Sequence, residues 1–227
     1  MTLLKERFSY PSLKRTTAKN GSREYVGTSG KPVPSVTTIL SKTGDKSTLI
    51  EWRKRVGDKE ADRISNESAR LGTTVHDALE KYTLGEDWQI KGSNLVRKLA
   101  QQMAEKVIVN GLSQVDEMWG VEVPIMNEGL YAGTMDGVGL YKGVPSIIDF
   151  KTARAMKKRE WITDYFLQGS AYALAHNQTF GTEISQIVIM MVDREANYES
   201  FICNGDDYTK HCDLWAQRVL DYYNSER

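Results

Sequence analysis

The chain has 227 residues, 40% of them apolar and 26% charged, with 30 basic and 30 acidic side chains. This is an ordinary composition for a folded domain, and the length suffices for a sizeable core. It excludes collagen-like, low-complexity and disulfide-framework chains. No apolar run approaches the ~18–20 residues that cross a bilayer, so no membrane partner is expected. Cys203 and Cys212 are the only cysteines, too few for a four-cysteine zinc or iron–sulfur site. The first residues, MTLLKERFSYPSLKR, lack the apolar core of a secretory signal. A reducing, intracellular setting is expected, inside a host cell if the origin is a phage.

The neutral total hides an asymmetry. Residues 1–60 carry 13 basic and 6 acidic side chains, an excess of +7 that the remainder cancels. Such a segment suits phosphates, although basic arms also occur without function. Residues 1–34 read as irregular, with a small hairpin of Arg23–Val26 and Lys31–Val33. Ser35 follows Pro34 and is a natural cap for a short helix to Lys42. The hydroxyls of Ser35 and Thr37 at a helix start suit a phosphate oxygen, and equally suit a plain cap. Residues 48–82 read as mostly helical, with breaks at Gly57 and Gly72. Trp52 adjoins Arg53, Lys54 and Arg55. A base could stack on it with cations such as Arg53 on the backbone. Core packing is the expected role of Trp52.

His76 and Glu80 lie four apart and share a helix face. Helical histidines are structural by default. Residues 92–112 predict a packing helix with Leu95, Leu99, Met103 and Val107 on one stripe. Three strands follow. Val121, Val123 and Ile125 alternate with polar or small residues, and Asn127-Glu128-Gly129 breaks the run. Tyr131–Tyr141 and Val144–Lys151 flank a turn at Lys142-Gly143. That turn sets Asp136 opposite Asp149, with Cβ atoms roughly 4.5–5.5 Å apart. Period two puts Lys151 on the face of Asp149. Two carboxylates so close need a cation or proton between them, and a divalent metal with oxygen ligands provides one. The lysine would then orient water or stabilise charge on a phosphate. The bland alternative makes Asp136 a turn residue. It suits Asp149 less, because the apolar run Ser-Ile-Ile-Asp-Phe makes an unpaired charge costly.

Residues 152–160 hold Arg154, Lys157, Lys158 and Arg159, a solvated loop or a phosphate clamp. A helix over 161–178 puts Gln168 and Tyr172 on one face and Phe166, Leu167, Ala171 and Leu174 on the other. Residues 184–193 predict a central strand, 198–203 its hairpin partner, and 206–223 a terminal helix with Leu214, Val219 and Leu220 inward.

Asp136 followed by Asp149-Phe150-Lys151 resembles the metal-binding core of the PD-(D/E)XK nuclease superfamily. Gly72-Thr73-Thr74-Val75-His76 to Glu80 resembles the G-x-x-x-H-x-x-x-E helix of its RecB-type members. Gln168-Gly169-Ser170-Ala171-Tyr172 resembles their Q-x-x-x-Y helix. The order Tyr25, Gly30, Pro34-Ser35-Val36-Thr37 is similar to the N-terminal module of mitochondrial genome maintenance exonucleases and related phage nucleases, which precedes a helical region over the DNA. The resemblance implies that His76, Asp136, Asp149 and the Phe150 carbonyl hold Mg2+ or Mn2+. It implies a supporting role for Glu80, and a water-mediated one for Glu122, placed at the start of the first strand. Gln168 and Tyr172 would serve the active site or the DNA backbone.

The expected fold is therefore α/β of the PD-(D/E)XK type, a mixed sheet flanked by helices. It forms one domain over 1–227, with a basic helical extension over 1–70 covering the active site of a core over 71–227. The expected activity is a metal-dependent exonuclease on single-stranded DNA with a free end, working as a monomer. Alternatives are a structure-selective endonuclease, a non-cleaving DNA-binding module and an RNA nuclease.

Overall fold

The computed structural model describes residues 3–127 and 129–225. Glu128, in the expected break after Asn127, lies outside the described residues. A five-stranded mixed sheet forms the centre, in the order of the chain. Its strands are β4 (Val115–Asn127), β5 (Tyr131–Tyr141), β6 (Val144–Ala153), β7 (Gln186–Asp193) and β8 (Tyr198–Cys203). Neighbours are antiparallel except β6 and β7, which are parallel. That parallel pair requires a crossover, and α5 (Thr163–Phe180) supplies it.

Helices cover both faces. Leu71, Val75 and Leu79 of α3 (Asp58–Leu84), with Met103 and Val107 of α4 (Leu95–Asn110), pack on one of them. They meet Ile148 and Phe150 of β6 and Val188, Met190 and Val192 of β7. The alternate residues Ile187, Ile189 and Met191 meet Ile162 and Phe166 on the opposite side. There α5 packs with α1 (Val36–Thr43) and α6 (Gly205–Ser225) through Ile39, Leu167, Ala171 and Trp215. This is the two-sided burial of a sheet with helices on both faces, and it explains why β7 reads as a continuous apolar run. No helix among the described residues is long and apolar enough to cross a membrane.

The N-terminal part departs from expectation. Residues before Ser35 are not simply irregular, nor helical. β1 (Lys14–Thr17), β2 (Arg23–Val26) and β3 (Pro32–Pro34) form a small antiparallel sheet. Only β1 lacked a sequence signal, since KRTT has no apolar alternation. α1 and α2 (Ser47–Val56) follow it. Trp52 is not in the core, because α2 buries no residue.

Gly72 does not break α3, which runs unbroken from Asp58. The glycine marks close packing instead: a Cβ there would lie 3.2 Å from Thr152 Oγ1 on β6. The inward stripe of α6 is carried by Trp215 and Val219, while Leu214 and Leu220 are exposed. Leu95 is also exposed, at the first turn of α4.

Candidate active site

The site lies where β5 and β6 separate. Their pairing ends at Gly137 and Ile148, in the register expected from the Lys142-Gly143 turn. Asp136 and Asp149 stand one step beyond. Freed from the ladder, Asp136 turns its carboxylate across the gap, and the Phe150 amide donates to its Oδ2 at 2.8 Å. Amide and carbonyl of one residue in an extended strand leave by the same edge. The Phe150 carbonyl therefore faces this gap as well.

α3 brings His76 in from one face. The Gly72–Thr152 approach seats α3 on β6 one turn earlier. His76 Nδ1 then lies 3.6 Å from Asp136 Oδ2, and the ring sits edge-on to Phe150 at 6.0 Å. Glu80, one turn further, is half-buried. From β4, Glu122 stands between the pairs Val121–Gly137 and Val123–Met135, which places it across from Asp136. It is not at the start of the strand, as read from the sequence, but in its middle, with φ +48°. A bulky residue in that backbone region is strained, and such strain clusters at functional sites. One donor atom each from His76, Glu122 and Asp136 lies within 4.8 Å of the others.

α5 closes the other side. Lys151 Nζ donates to Asp149 Oδ1 at 2.7 Å and lies 2.6 Å from Oδ2. It also donates to Gln168 Oε1 at 3.3 Å, and Gln168 Nε2 donates to the Tyr172 hydroxyl at 3.3 Å. The Tyr165 ring lies 5.0 Å from the same ammonium. Tyr165 was not singled out in the sequence, though it precedes Gln168 by three and so shares its helix face. Tyr172 reaches the site because residue 133 is glycine: a Cβ there would lie 2.6 Å from its ring.

The electrostatics are strained in the same place. Asp149 is 2% exposed, and burial pushes its pKa up to about 6, offset by Lys151 and reinforced by Asp136. Burial opposes the Lys151 charge as well, but Asp149 and Asp136 outweigh it and hold the ammonium above its ordinary pKa. Burial around its carboxyl, then Asp136, Glu80, Asp77 and Asp149, push Glu122 to about 7. The residue as a whole keeps an exposed surface. Asp149 Oδ2 is buried and accepts no well-aligned hydrogen bond. Clustered carboxylates and an imidazole are a donor set that fits a hard divalent cation.

Four of the site residues open on a cleft of about 240 Å³. Glu122, Asp136, Gln168 and Tyr172 line it together with Arg15, Arg23, Tyr25, Ser35 and Thr37 of the N-terminal part. Ser35 is spent on its cap: its Oγ accepts from the Thr38 amide at 3.0 Å and is buried. Thr37 is exposed.

The remaining expected contacts fare differently. Arg53 is not brought to the cleft. It pairs with Asp58 at 2.9 Å and Asp62 at 2.8 Å, because the Gly57 break folds α2 back on α3. Lys157 donates to the Tyr165 hydroxyl at 2.7 Å, and Lys158 lies over Trp161. Arg154 is exposed.

A second group, Cys203, Asp207 and His211, is also compact. Its atoms are already engaged: His211 Nδ1 lies 2.7 Å from the Asp207 carbonyl, and Asp207 pairs with Arg159 at 2.6 Å.

No family model matches the chain. It is 24% identical over 211 residues to human (Homo sapiens) mitochondrial genome maintenance exonuclease 1, a match covering 86% of this chain. The chain spans only 59% of that relative's length. Among solved structures, a candidate exonuclease of Eubacterium rectale superposes with a TM-score of 0.48 at 16% identity, covering 71% of this chain and 69% of that one. The protein SSO0001 superposes with a TM-score of 0.38 at 14% identity, over 75% of this chain and 69% of its own.

Proposed function

We propose that the protein is a divalent-metal-dependent nuclease of the PD-(D/E)XK, RecB-like type, acting on single-stranded DNA from a free end. One observation carries the reading. The Phe150 amide fixes Asp136 in the gap between β5 and β6, within reach of His76, and the same strand presents Asp149 and Lys151. The similarity to a human protein named as an exonuclease supports the class of activity.

His76, Asp136, Asp149 and the Phe150 carbonyl would hold Mg2+ or Mn2+, with Glu122 joining through water. When bound, the ion polarises the scissile phosphate and makes water a stronger nucleophile. The protein's own groups do the rest. Asp149 keeps Lys151 cationic and aimed, so the ammonium can orient the attacking water or meet charge growing on the phosphate. Gln168 fixes Lys151 from the α5 side, and Tyr172 fixes Gln168. Glu80 adds negative charge beside His76 and Glu122. Arg154, Lys157, Lys158 and Thr37 stand as contacts for the strand.

The test is degradation of end-labelled linear and circular single-stranded DNA, with and without Mn2+. Loss of the linear strand alone, and only with metal, is expected. Metal-dependent cutting of the circle would make the enzyme an endonuclease. No cutting of either would leave a DNA-binding module. A run with labelled RNA separates the nucleic acids.

A further inference from the structure

The basic excess of the N-terminal segment divides into spent and unspent charge. Lys5 and Arg7 pair with buried Glu117, and Arg53 pairs with two aspartates. Arg15 and Arg23 are exposed and make no ion pair or side-chain hydrogen bond among the described residues. The β1–β2 register explains where they point. Arg15 stands opposite Tyr25, and Arg23 is two residues along from Tyr25, so all three share one face. The two arginines are a diagonal pair, about 7–8 Å apart at the backbone. Tyr25 anchors that face over β5, its hydroxyl 3.3 Å from Thr134 Oγ1. The Arg23 carbonyl accepts from the Ser35 amide at 3.0 Å and from the Thr38 hydroxyl at 2.9 Å, which ties β2 to the start of α1. Arg15 and Arg23 both line the cleft that Asp136 and Glu122 also line.

Two like charges on one small cleft favour an anion held between them. Guanidiniums suit phosphate, because their planar fork donates to two oxygens at once. We propose that Arg15 and Arg23 clamp one phosphate of the nucleic acid, next to the phosphate at the carboxylates. The inference rests on the nuclease reading and extends it. The small N-terminal sheet becomes a binding element, which holds the strand while the opposite wall reacts.

The experiment measures binding of short single-stranded oligothymidylates in EDTA, so that nothing is cut, across a range of salt. Three forms are used: 5′-phosphorylated, 3′-phosphorylated and unphosphorylated. Arg15→Gln/Arg23→Gln should weaken binding about tenfold and lower the salt slope by ~0.7, the value for one phosphate on a single strand. Mn2+ binding should not weaken. Arg15→Lys/Arg23→Lys should keep the slope but lose affinity, since lysine cannot donate in a fork. Equal loss in all three forms supports an internal phosphate, and loss confined to one end-phosphorylated form supports a terminal one. Unchanged affinity and slope in every form overturn the clamp. If the wild type binds through these arginines but never degrades DNA, the nuclease reading fails and the clamp stands. If DNA is degraded and the variants bind normally, only the clamp fails.

Discussion

Asp136 receives its hydrogen bond from the amide of Phe150, the residue between Asp149 and Lys151. The backbone that presents two of the candidate reactive groups thus fixes a third. This works only because β5 and β6 stop pairing at Gly137 and Ile148. One further step of ladder would engage the Phe150 edge and leave no gap for an ion.

Lys151 separates chemistry from binding. Lys151→Ala should reduce cleavage by at least about 10²–10³-fold, as for loss of a transition-state charge partner. Single-stranded DNA affinity should stay within about twofold, since the ammonium faces the carboxylate cluster and not the arginine wall. The variant should also melt at a lower temperature in EDTA, because Asp149 keeps a buried charge without its partner. Single-turnover kinetics and anisotropy check this; unchanged turnover would rule out the role given to Lys151.

Stability should depend on pH in a direction set by Asp149 and Glu122, pushed up to about 6 and about 7. An acid whose folded pKa is raised contributes fully below its unfolded pKa, ~4 for a carboxylate. It loses that contribution as pH climbs through the folded value. Burial holds His176 at about 4, which acts in the opposite sense over this range, so the comparison is with Asp149→Asn/Glu122→Gln: from pH 5 to pH 7.5 the melting temperature of the metal-free wild type should fall relative to that of the variant. Mn2+ should raise the melting temperature more at pH 7.5, where the carboxylates are charged. Scanning fluorimetry checks both, and parallel metal-free profiles for wild type and variant would oppose the electrostatic account.

Two glycines set helix positions against the sheet, and each can be tested by adding a side chain. Gly133→Ala puts a Cβ 2.6 Å from the Tyr172 ring and should displace Tyr172 and its bond to Gln168. Cleavage should fall about tenfold or more, the scale on which small misplacements act. Gly72→Val should lift α3 from Thr152 and carry His76 away from Asp136. Mn2+ affinity should then drop. Thr152→Ala added to Gly72→Val should recover part of it. If it recovers nothing, close packing at Thr152 is not what seats His76.

Much of the site was legible because it is written in local periodicities. The Lys142-Gly143 turn fixed the register that aligns Asp136 with Asp149. Period two placed Lys151 beside Asp149, and the four-residue spacing paired Gln168 with Tyr172. What escaped depends on long-range contact. Gly72 looks like a helix break until β6 is seen against it. Trp52 looks like core, but α2 buries no residue, and its neighbour Arg53 is drawn to Asp58 and Asp62. Glu122 is expected near the metal by resemblance alone, and nothing local reveals its φ of +48°. The Arg15–Arg23 pair needs the register of β1, a strand with no apolar pattern to announce it.

The central claim is that this gap binds a divalent ion through His76, Asp136 and Asp149. Calorimetric titration of Mn2+ into the wild type, Asp136→Asn and Asp149→Asn tests it most directly. The account predicts binding by the wild type and at least about tenfold weaker binding by each variant, the scale on which loss of one group in a metal site acts. Equal Mn2+ affinity in all three proteins, or no binding by the wild type, would contradict it.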